Sequence, residues 1–379
     1  MKEYRIDEIC EVVAGGTPST KVASYWDGNV VWLTPKDLSN HNSKWIFSSI
    51  TTITEAGLKN SSAKMLPVNS VLLSSRAPIG YLALAGTTLC TNQGFKSMIC
   101  DERYVLPEYL YYLLQTKVED LNNISTGSTF KELSASLLKN YKISIHEISE
   151  QQHIVDILGS IDDSIENNEK IIEALEEKML LEYDHLITST ALAESEMQEI
   201  FDISIGKTPP RKESHWFTEN SEDVKWLSIS DMGKAKVFTF DSSEKITAEG
   251  IKKYNVKIVP ENTVLLSFKL TIGKVAITGC EMATNEAIAH FVTDDNTIME
   301  YLYCYLKRYN FDTLGNTSSI ATAVNSKTIK AMKFKYPSKE AISEFHRIAE
   351  PIIKKIKHLL ITNAKLNELK QLYLKKFFG

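Results

Sequence analysis

The sequence predicts an α+β fold in which two copies of one domain are separated by two long antiparallel helices that form a coiled coil, with pseudo-two-fold symmetry. Three observations predict it. The second half of the chain repeats the first at an offset of about 193 residues. Each copy opens with short β-type runs between turn residues. Each copy ends in a long apolar stripe at helical spacing.

The internal repeat is carried by short matches that keep their order along the chain. The longest aligns residues 66–74 with residues 259–267, and both contain a Pro-x-Asn triplet before an apolar run. Further matches, in order, pair residues 16–18 with 207–209, 31–37 with 225–231, 54–59 with 247–252, 79–80 with 272–273, and 91–92 with 284–285. Chance does not preserve so many ordered matches, so the chain contains two homologous domains, predicted at residues 1–147 and 196–337.

Each domain is predicted to combine strands with a later helical stretch. Residues 70–74 and 274–278 are short β-type runs, whereas residues 106–121 and 297–309 have helical character.

The stripes that close the two copies predict helices at residues 148–190 and 338–379. The first stripe alternates steps of four and three residues, and the second is similar though less strict. Each contains one asparagine, Asn168 and Asn363, a residue type that sets register in coiled coils. The net charge is −10 over residues 148–195 and +5 over 338–379, so we expect the helices to pair. The acidic residues Asp162, Asp163, Glu166 and Glu169 are expected to be solvated or to pair with Lys354, Lys355 and Lys357.

Composition excludes several classes of protein. No apolar run approaches the roughly 18 residues that a membrane span needs, and residues 1–7 lack the apolar region of a secretory signal. Five scattered cysteines without a CxxC pair argue against a disulfide framework, and the eight histidines show no metal-ligand spacing. We therefore expect a cytoplasmic protein with no membrane association and no metal.

Signatures of catalysis are also missing from the sequence. An adenine methyltransferase needs an Asn/Asp-Pro-Pro-aromatic loop, but Pro209 and Pro210 stand between Thr208 and Arg211. There is no GxGxxG, no P-loop and no convincing nuclease motif. The sequence thus predicts a protein that is not an enzyme and holds no cofactor of its own.

Several motifs of the first copy occur in an order that is typical of one family. They are Gly-Gly-Thr-Pro-Ser at 15–19, Tyr-Trp at 25–26, Val-Trp-Leu-Thr-Pro-Lys-Asp at 31–37, Thr-Asn-Gln-Gly-Phe at 91–95, Thr-Gly-Ser-Thr at 126–129 and Ile-Ser-Glu-Gln-Gln-His-Ile-Val at 148–155. With these motifs the chain resembles, over its whole length, the specificity subunit of Type I restriction-modification enzymes. The second copy departs from the pattern, with Lys207 in place of the second glycine, Glu286 and Ala287 in place of Gln93 and Gly94, and no Glu-Gln-Gln.

The resemblance implies a function in DNA recognition. Each repeated domain would be a target-recognition domain that reads one half of a bipartite, asymmetric site in double-stranded DNA, and the helices would be spacers that set the gap. The chain would be a non-catalytic subunit that docks two methyltransferase subunits, with restriction and translocation subunits able to join. S-adenosylmethionine would be bound by the methyltransferase, which flips the target adenine.

Candidate DNA contacts are cations and amides that follow strand-like or turn-rich runs. Such side chains either meet phosphates and base edges or are simply solvated. The candidates are Lys36, Arg76, Asn92, Gln93, Lys131, Lys207, Arg211, Lys212, Lys269 and Lys327. The tryptophans Trp26, Trp32, Trp216 and Trp226 are expected to pack in the core rather than to stack on bases.

Candidate partner contacts lie where the first spacer helix begins. Glu150, Gln151 and Gln152 fit the start of a helix, and with Ile154 they are also expected to contact the methyltransferase; the two interpretations are compatible. The alternative function is a coiled-coil scaffold or adaptor without direct DNA readout. That alternative explains the helices but not why the two domains diverge mostly between short conserved anchors.

Overall fold

The structure is a computed structural model that describes residues 1–39, 41, 43–76, 78–126, 131–269, 271–314 and 324–379. The chain divides into two compact units. The first unit comprises Met1–Asn167 with Ala364–Gly379, and the second comprises Asn168–Asn363. Both units mix strands and helices, so the predicted α+β class is confirmed.

The first unit contains three sheets and short helices. Its strands are β1 (Lys2–Arg5), β2 (Cys10–Ala14), β3 (Trp26–Leu33), β4 (Trp45–Ile46), β5 (Thr52–Ile53), β6 (Val71–Ser75), β7 (Ile79–Ala85), β8 (Cys90–Thr91), β9 (Lys96–Cys100) and β10 (Lys142–Ile145). Its helices before the long one are α1 (Ile6–Ile9), α2 (Pro35–Ser39), α3 (Glu55–Lys59), α4 (Pro107–Gln115), α5 (Val118–Ile124) and α6 (Ala135–Asn140).

The long helix α7 (Ile148–Ser189) follows, and the second unit repeats the pattern. Its strands are β11 (Ala193–Glu196), β12 (Asp202–Ile205), β13 (Phe217–Thr218), β14 (Val224–Leu227), β15 (Phe238–Thr239), β16 (Glu244–Ile246), β17 (Val264–Ser267), β18 (Val275–Thr278), β19 (Ala283–Thr284), β20 (Ile288–Val292) and β21 (Lys333–Tyr336). Its helices are α8 (Met197–Ile200), α9 (Ile229–Lys234), α10 (Ala248–Tyr254), α11 (Met299–Arg308) and α12 (Ser326–Lys330). The second long helix, α13 (Lys339–Phe378), follows, and its residues from Ala364 onward belong to the first unit.

The sheet topology confirms the internal repeat. The five-stranded sheet has the order β2-β9-β6-β7-β4 in the first unit and β12-β20-β17-β18-β15 in the second. In both, the outermost pair, β4 with β7 or β15 with β18, is parallel. In each domain a two-stranded antiparallel sheet also joins the start of the domain to its end. It pairs β1 with β10 in the first domain and β11 with β21 in the second.

The matching Pro-x-Asn triplets form the same tight turn before the central strand. Asn69 and Asn262 both adopt a left-handed backbone, with φ of 71° and 63°. Asparagine tolerates that conformation, and in the first copy Ser70 N donates to Pro67 O over 3.3 Å, so Asn69 is the third residue of a turn that begins at Pro67. The turn leads into β6 and β17, whose residues are all buried, because both faces of these central strands are covered.

The two long helices pair antiparallel within each unit. In the first unit Leu158 and Leu374 belong to one apolar core, and Asp162 Oδ1 lies 2.7 Å from Lys370 Nζ. In the second unit Ile172 and Leu359 share the other large core. Residues that come later along α7 pack with residues that come earlier along α13. This order confirms the antiparallel helices predicted from the stripes.

Of the two expectations for the acidic helix residues, pairing with Lys354 and Lys357 was wrong, whereas Asp163 is exposed, as the other predicted. Lys354 pairs with Glu350 on its own helix, and Lys357 pairs with Glu261 of the second domain. Glu169 of α7 instead pairs with Lys236 at 3.1 Å. Cations of the second domain also reach α7 at Glu176, from Lys307, and at Asp184, from Arg308. Part of the acidity of α7 is therefore matched by the domain packed against it, and Asp162 is matched by Lys370 of α13.

Candidate nucleic-acid interface

Two loops of the first unit are joined by hydrogen bonds, and they carry several of the predicted DNA contacts. The loop at 15–19 joins the loop at 91–94 because Gly16 N donates to Thr91 O over 2.8 Å and the Thr17 hydroxyl donates to Gln93 Oε1. A Cβ at Gly15 would overlap the carbonyl oxygen of Asn92, so the close approach requires glycine. We call this pair of segments the first loop pair.

The second unit builds an equivalent second loop pair from residues 206–212 and 284–287. Lys207 N donates to Thr284 O over 3.0 Å, and the Thr208 hydroxyl donates to Glu286 Oε2. A Cβ at Gly206 would overlap the carbonyl oxygen of Asn285. The arrangement matches the first loop pair even though the sequences differ, because the ties use backbone groups and one threonine hydroxyl.

In each loop pair, a buried tryptophan donates a hydrogen bond to a backbone carbonyl of the loop. Trp32 Nε1 donates to Gly16 O over 2.9 Å, and Trp226 Nε1 donates to Lys207 O over 3.0 Å. Both indoles are almost fully buried, as is that of Trp216. These three side chains therefore pack in the core, as expected, and are not available to stack on bases. Trp32 and Trp226 also position the loops.

Lys36, Asn92 and Gln93 come together at the first loop pair. Asn92 N donates to Leu33 O over 2.8 Å, and the side chain of Pro35 lies beside Gly94, so α2 starts next to the loop. Lys36 and Gln93 are exposed, whereas the Asn92 Oδ1 caps its own turn by accepting from Gly94 N over 2.8 Å. Of the two predicted amide readers, only Gln93 presents its side chain outward.

The other predicted cations of the first unit lie elsewhere. Arg76 forms an isolated β-bridge with Glu132, and the neighbouring Lys131 donates to Asn122 O over 3.4 Å. Gly127, Ser128 and Thr129 of the junction motif lie outside the described residues.

Arg211 is the most constrained cation of the second loop pair. Its guanidinium forms a bidentate pair with Glu244, at 2.7 and 2.9 Å, and lies 4.1 Å from the ring centre of Phe217. Lys207 Nζ donates to Tyr254 O over 3.3 Å, and Lys212 is exposed. Bidentate pairing and ring stacking suit an arginine that stabilises its own loop.

Lys269 and Lys327 are exposed positions of the second unit outside the loop pair. Lys269 lies 5.5 Å from the ring centre of Phe268, and Lys327 is in the first turn of α12, which Asn325 caps.

The start of α7 corrects two of the predicted partner contacts. Gln151 is 0% exposed, and its amide bonds Leu106 N, Tyr104 O and His146 O at 2.8 to 2.9 Å. Ile154 is also fully buried in the core of the first unit. Both residues anchor the helix to its own domain, so neither reaches a partner surface. Glu150 and Gln152 are exposed and keep the predicted role as candidates.

His290 is a buried residue that sequence reasoning missed. Its ring contacts Ser204 Oγ at 3.0 Å and Thr284 Oγ1 at 2.6 Å, directly under the second loop pair. Burial lowers its pKa to about 4, so the ring is neutral at pH 7. Alignment of the two copies could have singled out this residue, because His290 occupies the position after the Thr-Asn anchor at which the first copy has Ser97.

The described part of the chain contains neither a group of side chains that could hold a metal ion nor a helix that could span a membrane. Within it no group of three His, Cys, Asp or Glu side chains could hold a metal ion. Across the same residues, every helix is too short or too polar to span a bilayer.

Comparison with known proteins identifies the repeated domain. The profile of the Type I restriction modification DNA specificity domain matches residues 1–177 and again residues 192–371. The MjaIX specificity subunit of a Type I restriction enzyme from Methanocaldococcus jannaschii is 31% identical, over 93% of this chain and 86% of that protein. The HindI specificity subunit from Haemophilus influenzae is 23% identical, over 93% and 94% of the two chains.

A solved structure shares the fold. The S subunit of a Type I restriction-modification system from M. genitalium aligns over 100% of this chain and 96% of its own, with a TM-score of 0.60 and 17% identity. Since the family profile covers both halves of the chain and a full-length relative exceeds 30% identity, the chain belongs to the Type I restriction-modification DNA specificity family.

Proposed function

We propose that this chain is the DNA specificity subunit of a Type I restriction-modification complex and reads a bipartite, asymmetric site, one half with each domain. The observation that carries the proposal is the double match of one DNA specificity domain, at residues 1–177 and 192–371. Two copies that keep the same loop ties but differ in the exposed side chains suit two readers of different half-sites.

The chain acts without catalysing a reaction itself. In the proposed complex, two methyltransferase subunits bring S-adenosylmethionine and the transfer chemistry, and restriction subunits can join them. The exposed Glu150 and Gln152 near the start of α7 are the candidate contacts to a methyltransferase. The candidate DNA contacts are the exposed residues Lys36, Gln93 and Lys212 of the loop pairs and α2, together with the exposed Lys269 and Lys327 outside the loop pairs.

Bulk charge does not hold this chain on DNA, because the net charge is −5. Affinity for DNA depends strongly on neutralised phosphates. A methyltransferase partner that adds phosphate contacts therefore fits the proposal, and the chain supplies the choice of sequence. The domains are proposed at 1–147 and 196–337 and the spacer helices at 148–190 and 338–379, and spacer length determines the gap.

Methylome sequencing tests the proposal. A host that expresses the cognate methyltransferase with this chain is compared with the same host lacking the chain. We expect a two-part motif with a fixed gap only when the chain is present. Removing one helical turn from each of α7 and α13 should change the gap and leave both half-motifs intact. Unchanged methylation, or a motif in one uninterrupted block, would favour a scaffold without DNA readout.

A further inference from the structure

A lysine followed by a large aliphatic residue stands at the same place in both copies of the domain. The two dipeptides are Lys64-Met65 and Lys257-Ile258. Each lies between two of the matched segments, at the same offset of 193 residues, so the alignment needs no gap. The four residues before the dipeptide differ at every position between the copies, whereas its lysine is identical and its second residue stays large and aliphatic.

Each dipeptide is exposed, although the residues on both sides of it are buried. Met65 is 42% exposed and Ile258 is 47% exposed, and both lysines are exposed as well. The buried neighbours are Ala63 and Leu66 in the first copy and Val256 and Val259 in the second. A buried residue on either side holds the dipeptide at a defined place on the surface of its domain.

Backbone hydrogen bonds fix the residue that follows each dipeptide. Leu66 N donates to Leu89 O over 2.7 Å, and Val259 N donates to Met282 O over 2.7 Å. The reverse bonds, from Leu89 N and Met282 N, are 3.2 Å long in both copies. Both domains therefore present the dipeptide in the same way, and a ligand that binds it has little backbone left to order.

Both dipeptides lie beside the loop pairs. In the first unit a Cβ at Gly16 would overlap the backbone N of Ala63, so the first loop pair packs against the residue that precedes Lys64. In the second unit His290 lies under the second loop pair, and burial together with the nearby charge of Lys257 lowers its pKa to about 4. In each unit the lysine is thus a neighbour of the loop pair.

The fold makes no evident use of these side chains. Among the residues that the structure describes, no ion pair or hydrogen bond involves the ammonium group of Lys64 or Lys257. Met65 and Ile258 leave a large part of their apolar surface in water, where it contributes nothing to folding. A single exposed aliphatic residue is common, but the same pair at the same place in two diverged domains indicates a ligand that both domains share.

The backbone of DNA is the ligand that two readers of different sequences have in common. Phosphates and deoxyriboses repeat whatever the bases are, and contacts to them position a protein without reading sequence. An ammonium group matches a phosphate, and an adjacent aliphatic side chain matches the apolar face of a deoxyribose. The place of the dipeptides favours DNA over a protein partner, because the loop pairs beside them carry the candidate DNA contacts Gln93 and Lys212.

We infer that Lys64-Met65 and Lys257-Ile258 form an equivalent backbone-binding site in each domain, with the lysine at a phosphate and the aliphatic side chain against the adjoining deoxyribose. The inference rests on the proposed function, because it assumes that each domain binds one half-site. The dipeptides add no preference for a base. They position each domain on DNA so that its diverged residues reach the bases.

DNA binding by the assembled complex tests the inference. The chain is co-purified with its methyltransferase as wild type, Lys64→Gln, Lys257→Gln or the double variant. Binding to a duplex that contains the methylated motif is measured at several salt concentrations. Each single variant should weaken binding on the order of fivefold and reduce the slope of log K against log salt by about 1, and the double variant should reduce it by about 2.

Two further variants test the aliphatic residues. Met65→Ser and Ile258→Ser remove apolar surface and no charge, so they should weaken binding and leave the salt slope as in the wild type. All of these side chains are exposed, so the unfolding temperature of each variant should match that of the wild type.

Lys59→Gln and Lys252→Gln are matched controls. These lysines are also exposed and also equivalent in the two copies, but they lie on α3 and α10 rather than within the dipeptides. Their replacement should leave the salt slope unchanged. Methylome sequencing of Lys64→Gln and Lys257→Gln should return the wild-type motif, since a phosphate contact carries no sequence information.

The possible outcomes separate this inference from the proposed function. If the wild type methylates a two-part motif but the double variant keeps the wild-type slope, or the controls lower it equally, the inference is overturned. A changed base in the motif, or loss of the methyltransferase from the purified complex, would also overturn it, as would wild-type affinity of both serine variants for the deoxyribose contact. If the wild type itself shows no two-part motif, the proposed function fails first and the inference fails with it.

Discussion

Asn168 on α7 donates a hydrogen bond from Nδ2 to Oδ1 of Asn363 on α13 over 2.7 Å. Each is the only asparagine in the apolar stripe of its helix, and Ile172 and Leu359 follow in the same core one turn away. A polar pair in an apolar seam stabilises one alignment of the helices, because any shifted alignment leaves both amides facing hydrocarbon. We propose that this pair sets the register of the two helices.

Replacing one asparagine of this pair should destabilise the chain more than the small size of the removed amide group suggests. Asn168→Leu or Asn363→Leu removes the hydrogen bond between the two amides, at a cost of about 1–3 kcal/mol each. The double variant should lose less than the sum of the two, because the bond between the two amides is lost only once. Denaturant unfolding of the four proteins gives the coupling energy, and strictly additive losses would argue against a functional pair.

Replacing Gln151 should destabilise the first unit strongly, whereas replacing Gln152 should not. Gln151→Ala removes the buried amide that bonds Leu106 N, Tyr104 O and His146 O, at a cost of about 2–4 kcal/mol. Gln152→Ala removes an exposed side chain that bonds Asp156 on the same helix, and should change stability by less than about 0.5 kcal/mol. Unfolding of the two variants checks the difference, and equal losses would contradict the assignment of Gln151 as an anchor.

The stability of the second unit should fall as the pH is lowered from 6.5 towards 4. Burial lowers the pKa of His290 from 6.5 to about 4, so the unfolded chain takes up a proton in this range before the folded chain does. The contribution is fully present above pH 6.5 and is lost on acidification, by at most about 3 kcal/mol.

A comparison of two histidine variants measures this effect. His290→Gln should flatten the dependence of the unfolding midpoint on pH between 6.5 and 4, since glutamine does not titrate there. His185→Gln, at an exposed position of α7, should retain the wild-type slope. An unchanged slope in His290→Gln would show that other groups cause the acid sensitivity.

Lys36→Gln should weaken DNA binding evenly across sequences. An exposed lysine that meets a phosphate contributes to the salt dependence of binding, and its loss reduces the slope of log K against log salt by about 1. Binding of the complex with methyltransferase is measured at several salt concentrations, with Lys59→Gln on α3 as the charge-matched control. A loss confined to one DNA sequence would instead mark Lys36 as a base reader.

Much of the fold followed from patterns that are local along the chain. The ordered matches predicted two homologous domains, the stripes predicted the long helices, and the short β-type runs at 70–74 and 274–278 predicted strands. Each of these depends on backbone preference and on periodicity within a few residues, which the sequence carries directly. The lack of a methyltransferase loop was likewise visible from the sequence.

Contacts between residues far apart in the sequence determined the rest of the fold and of the candidate site. The apolar stripe of a helix does not predict which residue its asparagine contacts. Nothing in the sequence predicted the ion pair between Lys357 and Glu261. Gln151 and Gln152 are neighbours of the same type, yet only packing of the 104–106 segment against the helix determines that the first is buried and the second is exposed.

The sequence by itself thus determined the repeat, the helices and the family, because these are written in local spacing and in ordered motifs. Only the tertiary structure brought Thr17 to Gln93 and Thr208 to Glu286, which are 76 and 78 residues apart along the chain. Such contacts form when sheets and turns pack together, and their free energy depends on geometry that spacing along the chain does not specify.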